Sequence, residues 1–420
     1  MNSNSYFDQS LKAAPCRFCG KPLTTTFVDL GVSPLCESFL ESSELDRMEP
    51  YYPLHALVCD DCFLVQLKEY VSPEHIFRHY AYFSSYSTSW VAHAGRYVEK
   101  MAERYKLDAD SLLVEVASND GYLLQHCLPL GIPCLGIEPA RNVAEKAIEK
   151  GIPTITEFFG VALAKKLAAE GKQANVIAGN NVLAQVPDLN DFVGGLKILL
   201  KPQGVVTLEF PHLERLIAEN QFDTIYHEHF SYFSFVTIDR IAQRHGLKLV
   251  DVEELPTHGG SLRVYLAHEG SDHLVSPAVN ALLDRERSAG FEDIATYRSF
   301  QKQVDATKRG LLAYLIAAKE SGKRICGYGA PGKGNTLLNY CGIGPDFLDF
   351  TVDRSHFKHG RFTPGMRIPI LPVEAISQAR PDLILILPWN LKHEIVGQMR
   401  PVVSEWGGKF IVPIPRVEEI

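Results

Sequence analysis

Apolar residues along this chain follow three different rhythms. Up to about residue 75 the apolar runs are short and broken by cysteine, proline and turn residues, with strand-like pieces at TTTFVDLG and HALVCDDCFLVQL. The next stretch turns helical, because Val91, Ala94, Tyr97, Val98 and Met101 recur at the spacing that lays one apolar face along a helix. From Ser111 the pattern becomes strand, glycine turn, helix, strand, beginning LLVEVASNDGYLL and GIEPA and continuing through ANVIAGNNV, GVVTLEFP and LKLVDVEEL. The helix TIDRIAQRHG before that last strand stops on Gly246, a residue type that favours the end of a helix.

Alternation of this kind predicts a mostly parallel sheet with helices on both faces. Residues 272–322 then read as helices, and a second alternating block follows with RICGYGAPGKGNTLLNYCG, FTVDRS and PDLILILP. The fold class is therefore α/β, in three parts: a small cysteine-bearing domain over 1–75, a Rossmann-like domain over 76–270, and a helical linker with a second Rossmann-like domain over 271–420.

Composition narrows the function classes. The 420 residues carry a formal charge of -8, which argues against a nucleic-acid surface. The first residues lack the apolar core of a signal peptide and no run of about eighteen apolar residues suggests a span, so a cytoplasmic protein is expected, with no membrane partner. In that compartment nine cysteines are metal ligands or buried thiols before they are disulfides.

Cys16, Cys19, Cys59 and Cys62 form two CxxC pairs. Each CxxC turn presents two thiolates, two such turns complete a tetrahedron around Zn²⁺, and four sulfur ligands leave no open position, so the predicted site is structural. Cys36, Cys127, Cys134, Cys326 and Cys341 are expected as buried thiols.

VEVASNDGYLL followed by GIEPA places a small-residue turn after one strand and an acid, Glu138, at the end of the next, where it can bind two ribose hydroxyls. A single glycine in the turn makes a poor dinucleotide fingerprint and a better S-adenosylmethionine (SAM) site. Candidate cofactor-binding residues are Glu115, Ala117, Asn119, Asp120, Gly121, Glu138 and Asn180. GYGAPGKGN does contain a literal GxGxxG at Gly327, Gly329 and Gly332, followed by Asp353, and on physics alone could hold a nicotinamide dinucleotide. Lys333 and the loop amides could equally hold a substrate's phosphates, and His227, Gln185, Lys333 and Asn335 are the candidate substrate-binding residues.

The order of these features, with NNVLAQVPDLNDFV, LEFPHLERLI, YHEHFSYFS, HGGSLRVY and GYGAPGKGNTLLNYCGI, resembles the nucleotide-sugar C-methyltransferases that add the branch methyl of deoxysugars. The resemblance covers essentially the whole chain. It implies SAM as methyl donor, structural zinc, a cofactor-free carboxy-terminal domain, and a nucleotide-linked 4-keto-6-deoxysugar as acceptor, methylated at C3 through an enolate. A monomer is expected.

Such a reaction needs a base at C3 and donors for the developing oxyanion. YHEHFSYFS has that inventory: His229 as base, Glu228 or His227 as neighbours that hold it or handle a second proton, and Tyr226 with Tyr80 as donors near the keto oxygen. Read as a strand, the segment would point His227 and His229 to one face and Glu228 to the other. Gln185 stands where the family often carries a histidine, and it hydrogen-bonds without titrating. An O- or N-methyltransferase, or an oxidoreductase using Gly327–Gly332, is the competing reading.

Overall fold

The computed structural model describes residues 13–72, 74 and 83–420, and Tyr80 lies outside them. Strands β1 (Thr25–Ser33), β2 (Tyr52–Val58) and β3 (Val65–Leu67) form an antiparallel sheet in the cysteine-rich part. Its apolar face is filled by Phe27, Leu54, Ala56 and Val65, all fully buried. Stacking of Phe27 on Phe300 at 4.7 Å between ring centroids fastens this sheet to the long helix Phe300–Glu320.

The central sheet contains β4 (Leu113–Val116), β5 (Cys134–Ile137), β6 (Thr154–Ile155), β7 (Ala174–Asn180) and β8 (Leu200–Pro211), all parallel. Strand β9 (Ser231–Tyr232) leaves it and adds to the edge of the first sheet, with Tyr232 opposite Val65 and Ser231 opposite Gln66. The chain then returns as β10 (Leu247–Leu255) and β11 (Ser261–His268), and β11 inserts antiparallel between β10 and β8. The strand order is β6-β5-β4-β7-β8-β11-β10. The order in which strands are added reverses between β4 and β7, and in an open α/β sheet that switch point leaves a crevice beyond the strand ends where ligands bind.

The third sheet has the order β14-β13-β12-β15-β16-β17 and is parallel except for β17. Its strands are β12 (Ile325–Tyr328), β13 (Thr351–Val352), β14 (Ile370–Leu371), β15 (Leu383–Ile386), β16 (Lys409–Val412) and β17 (Glu418–Glu419). Helices Pro277–Ser288, Ile294–Arg298 and Phe300–Glu320 connect it to the central sheet. One continuous apolar cluster runs through all three parts, from Phe27 through Phe210 to Leu385, so the sheets are packed against one another.

Local signals explain the helix that the heptad-like spacing predicts. It runs Thr88–Tyr105, begins where the Ser87 hydroxyl accepts the Trp90 N–H at 3.3 Å, and ends at Lys106 with φ +52°. A serine cap of this kind contributes about 1 kcal/mol. Among the described residues no helix is long and apolar enough to cross a membrane.

Candidate functional site

The four cysteines come together. Gly20 N–H bonds the Cys16 carbonyl at 2.9 Å and Phe63 N–H bonds the Cys59 carbonyl at 3.0 Å, closing each CxxC turn, with Gly20 and Phe63 in the left-handed region. The Sγ atoms of Cys16 and Cys62 lie 3.6 Å apart, those of Cys19 and Cys59 lie 3.4 Å apart, and all four fall within 4.8 Å of one another. Tetrahedral zinc with bonds of about 2.3 Å needs sulfurs about 3.8 Å apart, so the set fits the ion. Gln66 ties this site to its surroundings: its Nε2 donates to Cys16 Sγ at 3.1 Å and its Oε1 accepts the Arg17 N–H at 2.9 Å.

A cavity of about 760 Å³ opens at the central switch point and is lined by all three parts of the chain. One wall is the end of β4, β5 and β7, where Ala117, Asn119, Glu138 and Asn180 face it. Ala117 at φ +58°, Asn119 at +49° and Gly121 at +76° make a tight turn there. Glu138 accepts the Asn119 N–H at 2.9 Å and the Ala140 N–H at 2.8 Å, which aims the carboxylate. Phe158, Phe159, Ile137 and Val182 give the apolar surface a purine needs, and the buried Asn180 Oδ1 has no hydrogen-bond partner among the described residues. These residues fit SAM.

Three predicted cofactor contacts sit elsewhere. Glu115 is fully buried inside the sheet, where loss of solvation raises its pKa well above the usual carboxylate range. Asp120 accepts the Ser85 N–H and pairs with Lys150 at 3.6 Å. Gly121 packs against the next helix, where a Cβ would lie 2.4 Å from Ile152 Cδ1. All three shape the turn without lining the cavity.

The opposite wall is YHEHFSYFS, and it is not a strand over its first half. His229 N–H bonds the Tyr226 carbonyl at 2.9 Å, so residues 226–229 close a turn, and only Ser231 and Tyr232 are extended. The strand geometry that would put His227 and His229 on one face therefore does not apply. Tyr226, Glu228 and His229 line the cavity, whereas His227 turns toward the first sheet, its Nε2 3.2 Å from the Pro53 carbonyl oxygen and its ring edge-on to Tyr52. The Tyr226 and His229 rings are 4.2 Å apart.

The turn is fixed on three sides. Phe230 N–H bonds the Ala184 carbonyl at 2.7 Å, and Leu67 N–H bonds the Phe230 carbonyl at 3.0 Å. Glu286, from the linker helix, accepts the Phe235 and Val236 amides at 2.8 Å each. That same carboxylate meets His212 Nε2 at 2.6 Å, so the close group of His212, Glu214 and Glu286 is already spent as a helix cap.

Electrostatics separate the two walls' groups. Burial pulls His229 down from 6.5 to about 3, against the pull of its hydrogen bond to the Thr224 backbone, with His258 and Lys333 adding to the decrease. Burial and the nearby Glu37 carboxylate push Glu228 up to about 8. At neutral pH the turn thus presents a neutral imidazole next to a largely protonated carboxylic acid.

The third sheet supplies Pro331, Gly332 and Lys333. Lys333 Nζ sits 3.0 Å from Asn390 Oδ1 and 4.5 Å above the Trp389 ring, with its pKa lowered by burial. Asn335 does not reach the cavity, since its Nδ2 donates to the Cys36 carbonyl at 2.6 Å and thereby joins this helix to the zinc-type domain. Gly332 of the glycine loop is packed against the first domain, which leaves little room for a dinucleotide there. Asp353 accepts the Ala330 and Ser355 amides at 2.8 Å, and a Cβ on Gly332 would lie 2.9 Å from Cys36 Sγ.

Gln185 lines the cavity as well. Residues that the sequence reading missed there include Glu37, Asn181 and His258. HGGSLRVY was the available signal for His258, whereas Glu37 in PLCESF gives none.

Comparison with known proteins gives three family models in series: a zinc binding domain over residues 16–77, a methyltransferase domain over 77–252, and a C-methyltransferase C-terminal domain over 256–415. The chain is 36% identical over 400 residues, 95% of each protein, to C-methyltransferase NovU of Streptomyces niveus. Among solved structures, a SAM-dependent methyltransferase from Anabaena variabilis is 17% identical, covering 43% of this chain and 86% of that one, with a TM-score of 0.35. Magnesium protoporphyrin IX methyltransferase (ChlM) from Synechocystis PCC 6803 with bound SAH is 14% identical, covering 42% and 83%, with a TM-score of 0.34.

Proposed function

Because this chain belongs to the C-methyltransferase family, with SAM as donor and zinc in the four-cysteine site, we propose that its acceptor is a nucleotide-linked 4-keto-6-deoxysugar methylated at C3. The observation that carries this reading is the single cavity joining the Asn119–Glu138 wall to the Tyr226–His229 turn.

Bound SAM supplies an electrophilic methyl group. The protein has to make a carbon nucleophile beside it, and a keto group adjacent to C3 allows this if a base takes the C3 proton. Neutral His229 is in the state that accepts a proton, and its ring is aimed by the Thr224 hydrogen bond. Electrons left in the C3–H bond move into an enolate, whose oxygen needs donors. Tyr226 and the protonated Glu228 stand in the same turn and are assigned that role. C3 then bonds the methyl carbon as the methyl–sulfur bond breaks toward sulfur, leaving S-adenosylhomocysteine (SAH), and His229 releases its proton to solvent.

Lys333, at the start of helix Gly332–Cys341, is assigned to the nucleotide's phosphates, which a positive side chain attracts. An O- or N-methyl transfer would need no carbon acid. The test is mass spectrometry of nucleotide 4-ketosugars incubated with enzyme and SAM. Gain of one methyl on carbon is the expected result, and transfer to oxygen or nitrogen alone would overturn the proposal.

A further inference from the structure

His258 is one of the cavity's least ordinary residues. It occupies the left-handed region at φ +55°, ψ 17°, and its partner Asn181 does so too at φ +55°. Each such non-glycine residue costs on the order of 1 kcal/mol and persists only where its surroundings force it. Here they do. The preceding Thr257 hydroxyl donates to Glu209 at 2.9 Å, the following Gly259 carbonyl accepts from Gln221 Nε2 at 2.7 Å, and a Cβ on Gly259 would lie 2.7 Å from the Trp389 ring.

The imidazole is as constrained as its backbone. Asn181 Nδ2 lies 2.9 Å from His258 Nε2, and an amide nitrogen only donates, so Nε2 is the accepting nitrogen and Nδ1 carries the hydrogen. Trp90 stands edge-on at 5.5 Å between ring centroids. Among the described residues the ring's one side-chain hydrogen bond is that to Asn181, and the residue is solvent-accessible and lines the cavity. Although the residue is solvent-accessible, loss of solvation at the cavity wall, with Lys333 adding to it, pulls the pKa down to about 4 against Glu209, so the ring is neutral. His229 and Lys333 line the same cavity.

We propose that His258 is a further catalytic residue, whose Nδ1–H donates a hydrogen bond to the acceptor's carbonyl oxygen as that oxygen takes on enolate charge. The proposal rests on the C-methylation reading above. A developing oxyanion is best held by more than one donor fixed in advance, and a neutral imidazole locked in one tautomer reorganises little when the charge appears. It also gives a reason for the strain maintained at this loop.

His258→Gly tests it, since glycine takes φ +55° without strain and leaves room for an added imidazole. Three quantities are read with a dTDP-linked 4-keto-6-deoxyhexose: kcat, deuterium uptake at C3 without SAM, and SAH affinity by calorimetry. Expected is a fall of about 10²- to 10³-fold in kcat and in exchange, with SAH affinity kept and exchange partly restored by free imidazole. His258→Asn, which also tolerates this backbone, should lose the same activity. Wild-type activity within twofold in either variant, or loss that imidazole does not restore, would overturn the role of His258 alone. Absence of methyl transfer to carbon by the wild type would overturn the substrate reading and this inference with it.

Discussion

The environment of His229 predicts an unusual pH profile. Its pKa of about 3, against 6.5 for an ordinary imidazole, means that the accepting form is present throughout the working range. At pH 5 an ordinary imidazole would be protonated by about 30 to 1, whereas this one would be only ~1% protonated. Burial that keeps the ring neutral also weakens it as a base, so proton transfer becomes favourable only as enolate charge forms beside it in a cavity of low dielectric. Log kcat/KM, followed by mass spectrometry of the methylated nucleotide sugar, should therefore stay flat from pH 8 down to pH 5. His229→Ala should cost about 10²- to 10⁴-fold at every pH while SAH still binds. Glu228 gives the alkaline side: as a donor it must be protonated, so activity should fall above about 8, and Glu228→Gln should remove that fall. An acid limb near 6.5 that vanishes in His229→Ala would refute the desolvated ring. Full activity in that variant would refute the base itself.

Three further outcomes follow from the geometry. Glu138→Ala should weaken SAH binding at least ~10-fold in calorimetry, because a buried hydrogen-bond acceptor is lost, with zinc content unchanged; unaltered affinity would show the carboxylate to be only a turn support. Gly121→Ala should destabilise the fold by roughly 2–4 kcal/mol and lower Tm, since its Cβ would sit 2.4 Å from Ile152 Cδ1 at φ +76°, and an unchanged Tm would refute the close packing. Removing zinc with a chelator should abolish methyl transfer and C3 exchange more completely than SAH binding, because β9 pairs with the zinc-type sheet while the Glu138 wall does not; parallel loss of all three would refute that separation.

How much of this was readable in the chain depends on how local each signal is. The CxxC pairs and the Asn119–Gly121 turn are local, because their residues meet through turns of a few residues, and the alternation that predicts β4 to β8 is local as well. The fate of YHEHFSYFS was not. Alternation along a strand assigns His227 and His229 to one side, but the 226–229 turn sends one to the Pro53 carbonyl and the other to the cavity. Asn335 looked like a substrate-binding residue, yet its partner is the Cys36 carbonyl far away in sequence. Glu37 reaches the cavity only because that contact brings the first domain against the third, which no pattern within PLCESF encodes.

A zinc-binding domain in a methyltransferase has a physical rationale in the third strand of its sheet. The base proposed in the 226–229 turn would have to be held within a fraction of an ångström of its proton, and the turn has little regular structure of its own to hold it there. What it borrows is the edge of β3, where Ser231 and Tyr232 extend the sheet by two residues. That edge strand is short and would be mobile alone. Gln66 in β3 grips Cys16 Sγ and the Arg17 amide, Arg17 Nη1 donates to the Pro187 carbonyl at 3.0 Å, and its guanidinium lies 5.4 Å from the Phe230 ring centre. Four metal–sulfur bonds on one side of Gln66 and the reacting turn on the other therefore share a single rigid frame. An apolar core could cover the sheet as well, but it would not hold one strand edge to one position, because packing contacts are individually weak and undirected whereas metal–ligand bonds are short and fixed in angle.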